Sequence, residues 1–184
     1  MTVHRRSVVL GGLGALAGLA ITRTTFAAAA PRSAAPSGRS SLSFHHLHTG
    51  ERLDVTYRER GQLLSDAVAE ITRLLRDFRT DEIHSIDVGL LDTLTALRAR
   101  LGGRGRFEVI SGYRSPHTNE LLRNRSSGVA KNSLHMDGRA IDVRLTGVDT
   151  KSLRDAAVAL RRGGVGYYAK SDFVHVDTGR FRTW

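Results

Sequence analysis

With 184 residues, a formal charge of +10 and no cysteine, the chain is long enough for one domain that buries a core without disulfides. The missing cysteines exclude a disulfide framework, a cysteine nucleophile, an iron–sulfur cluster and a lipoprotein anchor, so a transition metal must be held by His, Asp or Glu. The basic charge suits an anionic cell-envelope polymer or nucleic acid, but the chain has no zinc finger, aromatic-rich RNA-binding strand or long basic helix, and no nucleic-acid partner is expected.

Residues 1–30 have the order of a cleavable export signal: Arg5 and Arg6, an apolar Gly/Ala-rich run from Val8 to Ile21, then small residues from Ala27 to Ala30. The adjacent arginines point to the twin-arginine route, although Ser7-Val8-Val9 matches its usual pattern only in part. About 20 apolar residues are needed to span a bilayer, so this run is short for an uncleaved anchor, and no stable span is expected after cleavage. The segment carries three arginines and no acid, so its removal leaves about +7. Residues 31–41, rich in Pro, Ser, Ala and Gly, are expected to be a flexible linker, with the folded domain over 42–184.

Next, SLSFHHLHTGERLDVTYRERG predicts a hairpin, two extended runs around His48-Thr49-Gly50-Glu51. His45, His46 and His48 invite a metal reading, but neighbouring strand residues point to opposite faces, so a polar strand face or hairpin rim is favoured. Apolar spacing predicts a helix over 62–78 (Leu64, Val68, Ile71, Leu75, Phe78) and another over 87–101 (Leu90, Leu91, Leu94, Leu97, Leu101), which stops at Gly102-Gly103. A short strand at 107–110 leads into Ser111-Gly112, and a polar helix follows Pro116. The run 139–145 reads as a strand, Asp149-Thr150 as the cap of a helix to about Arg162, and 165–168 with 173–176 as a second hairpin. Helices early and strands late, without βαβ alternation, predict an α+β fold with a mainly antiparallel sheet.

Chemistry concentrates in three stretches. In SLHMDGRAIDVRL, His135 in a turn and Asp142 in the following strand can meet on one ion, with Gly138 permitting the tight backbone between them. Alone, the pair reads more readily as a polar turn entering a strand. In DFVHVDTG, His175 is the best third ligand, since a catalytic zinc takes three protein ligands and leaves a position for water. Asp172, three residues upstream, is placed for a general base. Asp177 shares a strand face with His175 and is read as a residue behind the ligands, as substrate-facing, or as a strand-end turn residue. In SGYRSPHTN, a glycine turn aims Tyr113 and Arg114 outward; Arg114 offers a planar fork of donors to a carboxylate or carbonyl, unless it is one of many ordinary arginines. His117 matches no ligand position, and Met136 and Asp137 have no assigned role.

SGYRS, then S-x-H-x-x-G-x-A-x-D, then D-x-x-H occur in the order found in the zinc D-Ala-D-Ala carboxypeptidases and related murein endopeptidases. Together with FHHLHTGE, GVGYY and DFVHVDTGR, they make residues 42–184 resemble the MepK-like periplasmic murein endopeptidases most closely. The resemblance implies a hedgehog/DD-peptidase-like fold and zinc on His135, Asp142 and His175. Arg114 would stabilise the substrate carbonyl or its oxyanion, and Asp172 would occupy a base position where many relatives carry Glu. It implies an exported, periplasmic enzyme acting on peptidoglycan stem-peptide crosslinks, D-Ala–diaminopimelate or diaminopimelate–diaminopimelate, and a monomer is expected. Tyr113 and Asp177 join Arg114 as candidate substrate contacts. A carboxypeptidase trimming uncrosslinked stems is the enzymatic alternative, and a non-catalytic wall-binding module the lesser one.

Overall fold

The structure, a computed structural model, describes residues 38–126 and 128–184. The expected export signal and most of the linker lie outside them. Among the described residues, eight strands form one sheet: β1 (Arg39–His46), β2 (Arg52–Glu59), β3 (Gln62–Leu63), β4 (Phe107–Ser111), β5 (Ala140–Leu145), β6 (Gly164–Tyr168), β7 (Phe173–Asp177) and β8 (Arg182–Thr183). Their order is β3-β2-β1-β4-β5-β7-β6-β8; the β1–β4 and β6–β8 pairs are parallel and the rest antiparallel. Four helices accompany it: α1 (Ser65–Leu74), α2 (Val88–Arg100), α3 (Pro116–Arg125) and α4 (Thr150–Leu160). The fold is thus α+β with a mainly antiparallel sheet. None of the described helices is long and apolar enough to cross a membrane.

Period-two alternation divides the sheet into a greasy and a polar face. Leu42 and Phe44 of β1, Phe107 and Val109 of β4, Val143 and Leu145 of β5, and Val174 and Val176 of β7 join one core with Ile71 and Leu74 of α1, Leu90, Leu91, Leu94 and Leu97 of α2, and Leu153 of α4. Asp142 and His175 occupy the intervening positions of β5 and β7, so the strands that seal the core also present polar groups on the opposite face. Helix starts follow local capping chemistry. Asp87 accepts from Gly89 N–H, Ser115 from Thr118 N–H with Pro116 at the first helical position, and Asp149 from Ser152 N–H.

Three boundaries differ from expectation. Strand β1 begins at Arg39, so residues 39–41 are strand rather than linker. Gln62 and Leu63, expected to be helical, turn back at Gly61 and pair with Glu59 and Arg58, which delays α1 to Ser65. Helix α1 also stops at Leu74, and the following Leu75 carbonyl accepts Tyr113 N–H at 2.7 Å. Phe78 is thereby released to stack on the exposed His48 at 4.2 Å.

His46, by contrast, is wholly buried, and its Nδ1 accepts the N–H groups of His48 and Thr49. The histidine-rich hairpin is therefore a packed rim. Burial is the main cause that lowers the His46 pKa to about 4. The unfolded chain, with the ordinary value near 6.5, takes up this proton first, so the stabilisation from His46 is complete above about pH 6.5 and lost as pH falls towards 4. Melting temperature should drop over that window, and His46→Gln should flatten the drop in side-by-side thermal melts.

Candidate metal centre

The register of β5 and β7 sets Asp142 directly opposite His175, and that of β4 and β5 sets Ser111 opposite Asp142. His135 arrives from a different direction, in a 3-10 turn at Leu134–Asp137 that Gly138 closes in the left-handed region at φ 64°. A Cβ on Gly138 would come within 2.0 Å of the Ser85 carbonyl, so the turn needs glycine for both its torsion and its contact. The Gly138 carbonyl then accepts Asp87 N–H at 3.0 Å, tying the turn to the start of α2.

All three residues are buried, and one donor atom from each lies within 4.8 Å of the others. His135 Nδ1–H donates to the Gly112 carbonyl at 2.7 Å, and His175 Nε2–H donates to Asp177 Oδ2 at 3.0 Å. In the tautomers these bonds select for neutral rings, the lone pairs of His135 Nε2 and His175 Nδ1 both face Asp142 Oδ1. The three atoms form a triangle with edges of 3.2, 2.9 and 3.3 Å. Tetrahedral zinc bonds of about 2.0–2.1 Å separate neighbouring ligand atoms by roughly 3.3 Å, so the donor set fits such an ion.

Electrostatics agree with a site built around positive charge. Burial opposes ionisation of Asp142, but the charge of His135 and hydrogen bonds from both histidines outweigh it and hold its pKa well below the usual carboxylate range. Burial likewise opposes charge on His175, yet its bonds to Asp142 and Asp177 raise it to about 9. Burial dominates at His135 and lowers its pKa. Without a metal, the proton between the lone pairs therefore belongs on His175.

The triad opens on a cleft of about 470 Å³ that Arg114 also lines. Arg114 is 9% exposed; its Nη2 lies 3.6 Å from Asp142 Oδ2 and donates to Ser111 Oγ at 3.3 Å, while its Nε is buried with no partner among the described residues. Burial, the largest influence, lowers its pKa, and the charge of Asp142 acts in the other direction.

Four of the seven residues singled out in the sequence thus share the cleft: His135, Asp142, His175 and Arg114. The other three do not line it. Tyr113 stacks on His84 at 4.9 Å and is 8% exposed. Asp177 is fully buried. Its oxygens accept from His175, Gly164 N–H, Gly179 N–H and Arg182, and it holds His175 from behind. Asp172 stands in the left-handed region at φ 52°, which aspartate tolerates better than most residues. Its carboxylate accepts Thr150 Oγ–H at 2.8 Å and lies 3.4 Å from Arg144 Nε. His117 is exposed, as is Asp137.

Several contributors had no recognisable sequence signal. Asp77, 1% exposed, accepts Ser115 N–H at 2.9 Å and Arg79 N–H at 3.0 Å, and so anchors the entry to α3 beside Arg114. Asn119 sets its Oδ1 3.5 Å from Arg114 Nη1 and donates from its amide to the carbonyls of Ala130 and Lys131 at the cleft wall. Tyr168, Phe173, Arg182 and Trp184 complete that wall on the C-terminal side.

Three buried side chains that could hold a metal ion, opening on a cleft, are the arrangement of a metal-dependent hydrolase. Residues 33–184 match the peptidase M15 family described as "Peptidoglycan L,D-endopeptidase MepK", and the chain belongs to that family. It is 39% identical over 181 residues to the peptidoglycan L,D-endopeptidase MepK of Escherichia coli strain K12, covering 98% of this chain and 96% of the relative. It is 43% identical over 144 residues to the probable peptidoglycan L,D-endopeptidase MepK of Haemophilus influenzae, covering 78% of this chain and 77% of the relative. The chain is therefore a peptidase.

The residue behind a metal-ligating histidine typically contributes about 10–100-fold to metal affinity. Asp177→Asn, which removes the charge facing His175 and Arg182, should weaken metal retention by that order in a chelator competition. Unchanged retention would show that Asp177 serves the fold alone.

Proposed function

We propose that this chain is a zinc-dependent murein endopeptidase that hydrolyses peptide crosslinks of peptidoglycan. The observation that carries the proposal is the triangle of three lone pairs, from His135, Asp142 and His175, beside Arg114 in one cleft. An L,D bond joins an L-configured acyl centre to a D-configured amine. Of the two crosslinks considered, this favours diaminopimelate–diaminopimelate over D-Ala–diaminopimelate. Family membership and the relatives' names support that choice.

When bound by His135, Asp142 and His175, zinc supplies a Lewis acid for the scissile carbonyl and makes water an effective nucleophile near neutral pH. The chain's own residues supply the remaining functions. Arg114, held by Ser111 and Asn119 and short of one partner at Nε, is suited to stabilise charge developing on the carbonyl oxygen. Asp172 takes the proton from the attacking water and returns it to the leaving amine, on the strength of its D-x-x-H spacing from His175. For this its side chain must leave Thr150, a hydrogen bond whose loss costs about 0.5–1.5 kcal/mol.

Residues 1–30 would direct export, by the twin-arginine route, and the basic domain would then meet its anionic polymer outside the cytoplasm. The carboxypeptidase and wall-binding alternatives are separated by the same digestion that tests the main reading.

Purified protein should carry about one zinc per chain, and His135→Ala or His175→Ala should lose it. Crosslinked muropeptide dimers should be converted to monomers. Removal of an oxyanion donor typically lowers kcat by about 10²–10³, so Arg114→Ala should slow turnover on that scale with zinc retained. Asp172→Asn should likewise lose rate but keep zinc. Intact dimers with only the terminal residue trimmed would make the enzyme a carboxypeptidase; zinc-loaded protein without hydrolysis would make it a binding module.

A further inference from the structure

The C-terminal side of the cleft is aromatic, and its construction is specific. Trp184 is the only tryptophan in the chain. Its backbone is pinned to β6 on both sides: its N–H donates to the Val165 carbonyl at 3.2 Å, and its carbonyl accepts Tyr167 N–H at 3.0 Å. The indole lies across Gly166, where a Cβ would come 2.6 Å from the ring. Gly166 is the cross-strand partner of His175, so the indole reaches the proposed ligand itself, with ring centroids 5.2 Å apart. Indole Nε1–H donates to Tyr168 Oη at 3.0 Å, and the Tyr168 ring stacks on Phe173 at 4.5 Å. Arg182 sits 4.9 Å from the indole centroid, with its guanidinium committed to Asp177.

Despite these restraints Trp184 remains 50% exposed, and it lines the cleft together with Tyr168 and Phe173. Folding alone gives no reason to hold a large apolar ring half in water beside a buried polar centre. A binding surface does. A ring already fixed loses little conformational freedom when a ligand covers it, and such preformed aromatics dominate binding energies. The wall also defines the chemistry it accepts. Its one cation among these residues is neutralised by Asp177, and its indole N–H is already bonded, so it offers flat apolar area rather than charge.

We propose that Trp184, supported by Gly166, Tyr168 and Phe173, is the substrate platform on which the aliphatic chain and peptide planes of a peptidoglycan stem lie beside the scissile bond. Charged groups of the same stem are handled elsewhere in the cleft. The substrate identity rests on the endopeptidase reading above; the existence of the platform rests on the wall's geometry.

The single tryptophan allows a direct test. Zinc-loaded protein is titrated with a purified uncrosslinked stem peptide while Trp184 emission is recorded, and crosslinked-dimer kinetics are measured for Trp184→Ala, Trp184→Phe and Gly166→Ala. Emission should change saturably with peptide. Trp184→Ala should lower kcat/KM by about tenfold, mostly through KM, with zinc content unchanged. Trp184→Phe should recover part of the loss, and Gly166→Ala should reproduce it by displacing the ring. Emission that stays constant to saturating peptide, an unchanged KM in Trp184→Ala, or a loss accounted for entirely by lost zinc would each overturn the platform. Failure to cleave any dimer would sink the endopeptidase reading, while the emission titration would still decide the platform separately.

Discussion

The candidate metal centre depends on one cross-strand pairing, Asp142 of β5 against His175 of β7. Strand pairing brings a carboxylate oxygen within 2.9 Å of an imidazole nitrogen, in a place from which water is largely removed. A slip by one residue would send both side chains into the helix-covered core and bring Val143 and Val174 out, so core and site enforce the same register. His135 can join them only because the Gly138 turn delivers it from outside the sheet.

The surroundings settle which atoms remain free. A neutral imidazole has one N–H and one lone pair, and here both N–H groups are used by acceptors facing away from the centre, Gly112 and Asp177. The inward nitrogens are left as acceptors facing an acceptor, an arrangement that is costly unless a cation, whether a proton or a metal, sits among them. Asp177 is in turn satisfied by Arg182 and two backbone N–H groups, which lets a fully buried carboxylate persist ionised. Arg182 leads on to Trp184, so the ligand support and the aromatic wall are parts of one C-terminal unit.

Much of this was legible in the sequence because local chemistry and tertiary structure ask for the same residues. Helices α2, α3 and α4 begin where Asp87, Ser115 and Asp149 can cap them, and β5 and β7 show their polar and apolar alternation directly. What failed to show was set by distant partners. Gln62 and Leu63 fit a helical stripe, but the Gly61 turn makes them a strand. Phe78 fits the same stripe, but a long-range bond from Tyr113 to Leu75 ends the helix first. Within the site, the ligand motifs and Arg114 could be read because their spacing is local. Tyr113, beside Arg114 in sequence, stacks on His84 instead of lining the cleft, because neighbouring residues need not face the same way. Asp177 was placed among possible substrate contacts because spacing gives the strand face but not the depth. Asp77, Asn119 and Trp184 act through contacts across 38, 11 and 16 residues or more, which no periodicity records.

X-ray absorption at the zinc edge of the loaded protein tests the central claim most directly. The account predicts two imidazole nitrogens and carboxylate or water oxygen at about 2.0–2.1 Å, in a low-coordinate shell, at one zinc per chain. A shell of oxygen alone, or one without the imidazole scattering signature, would contradict it.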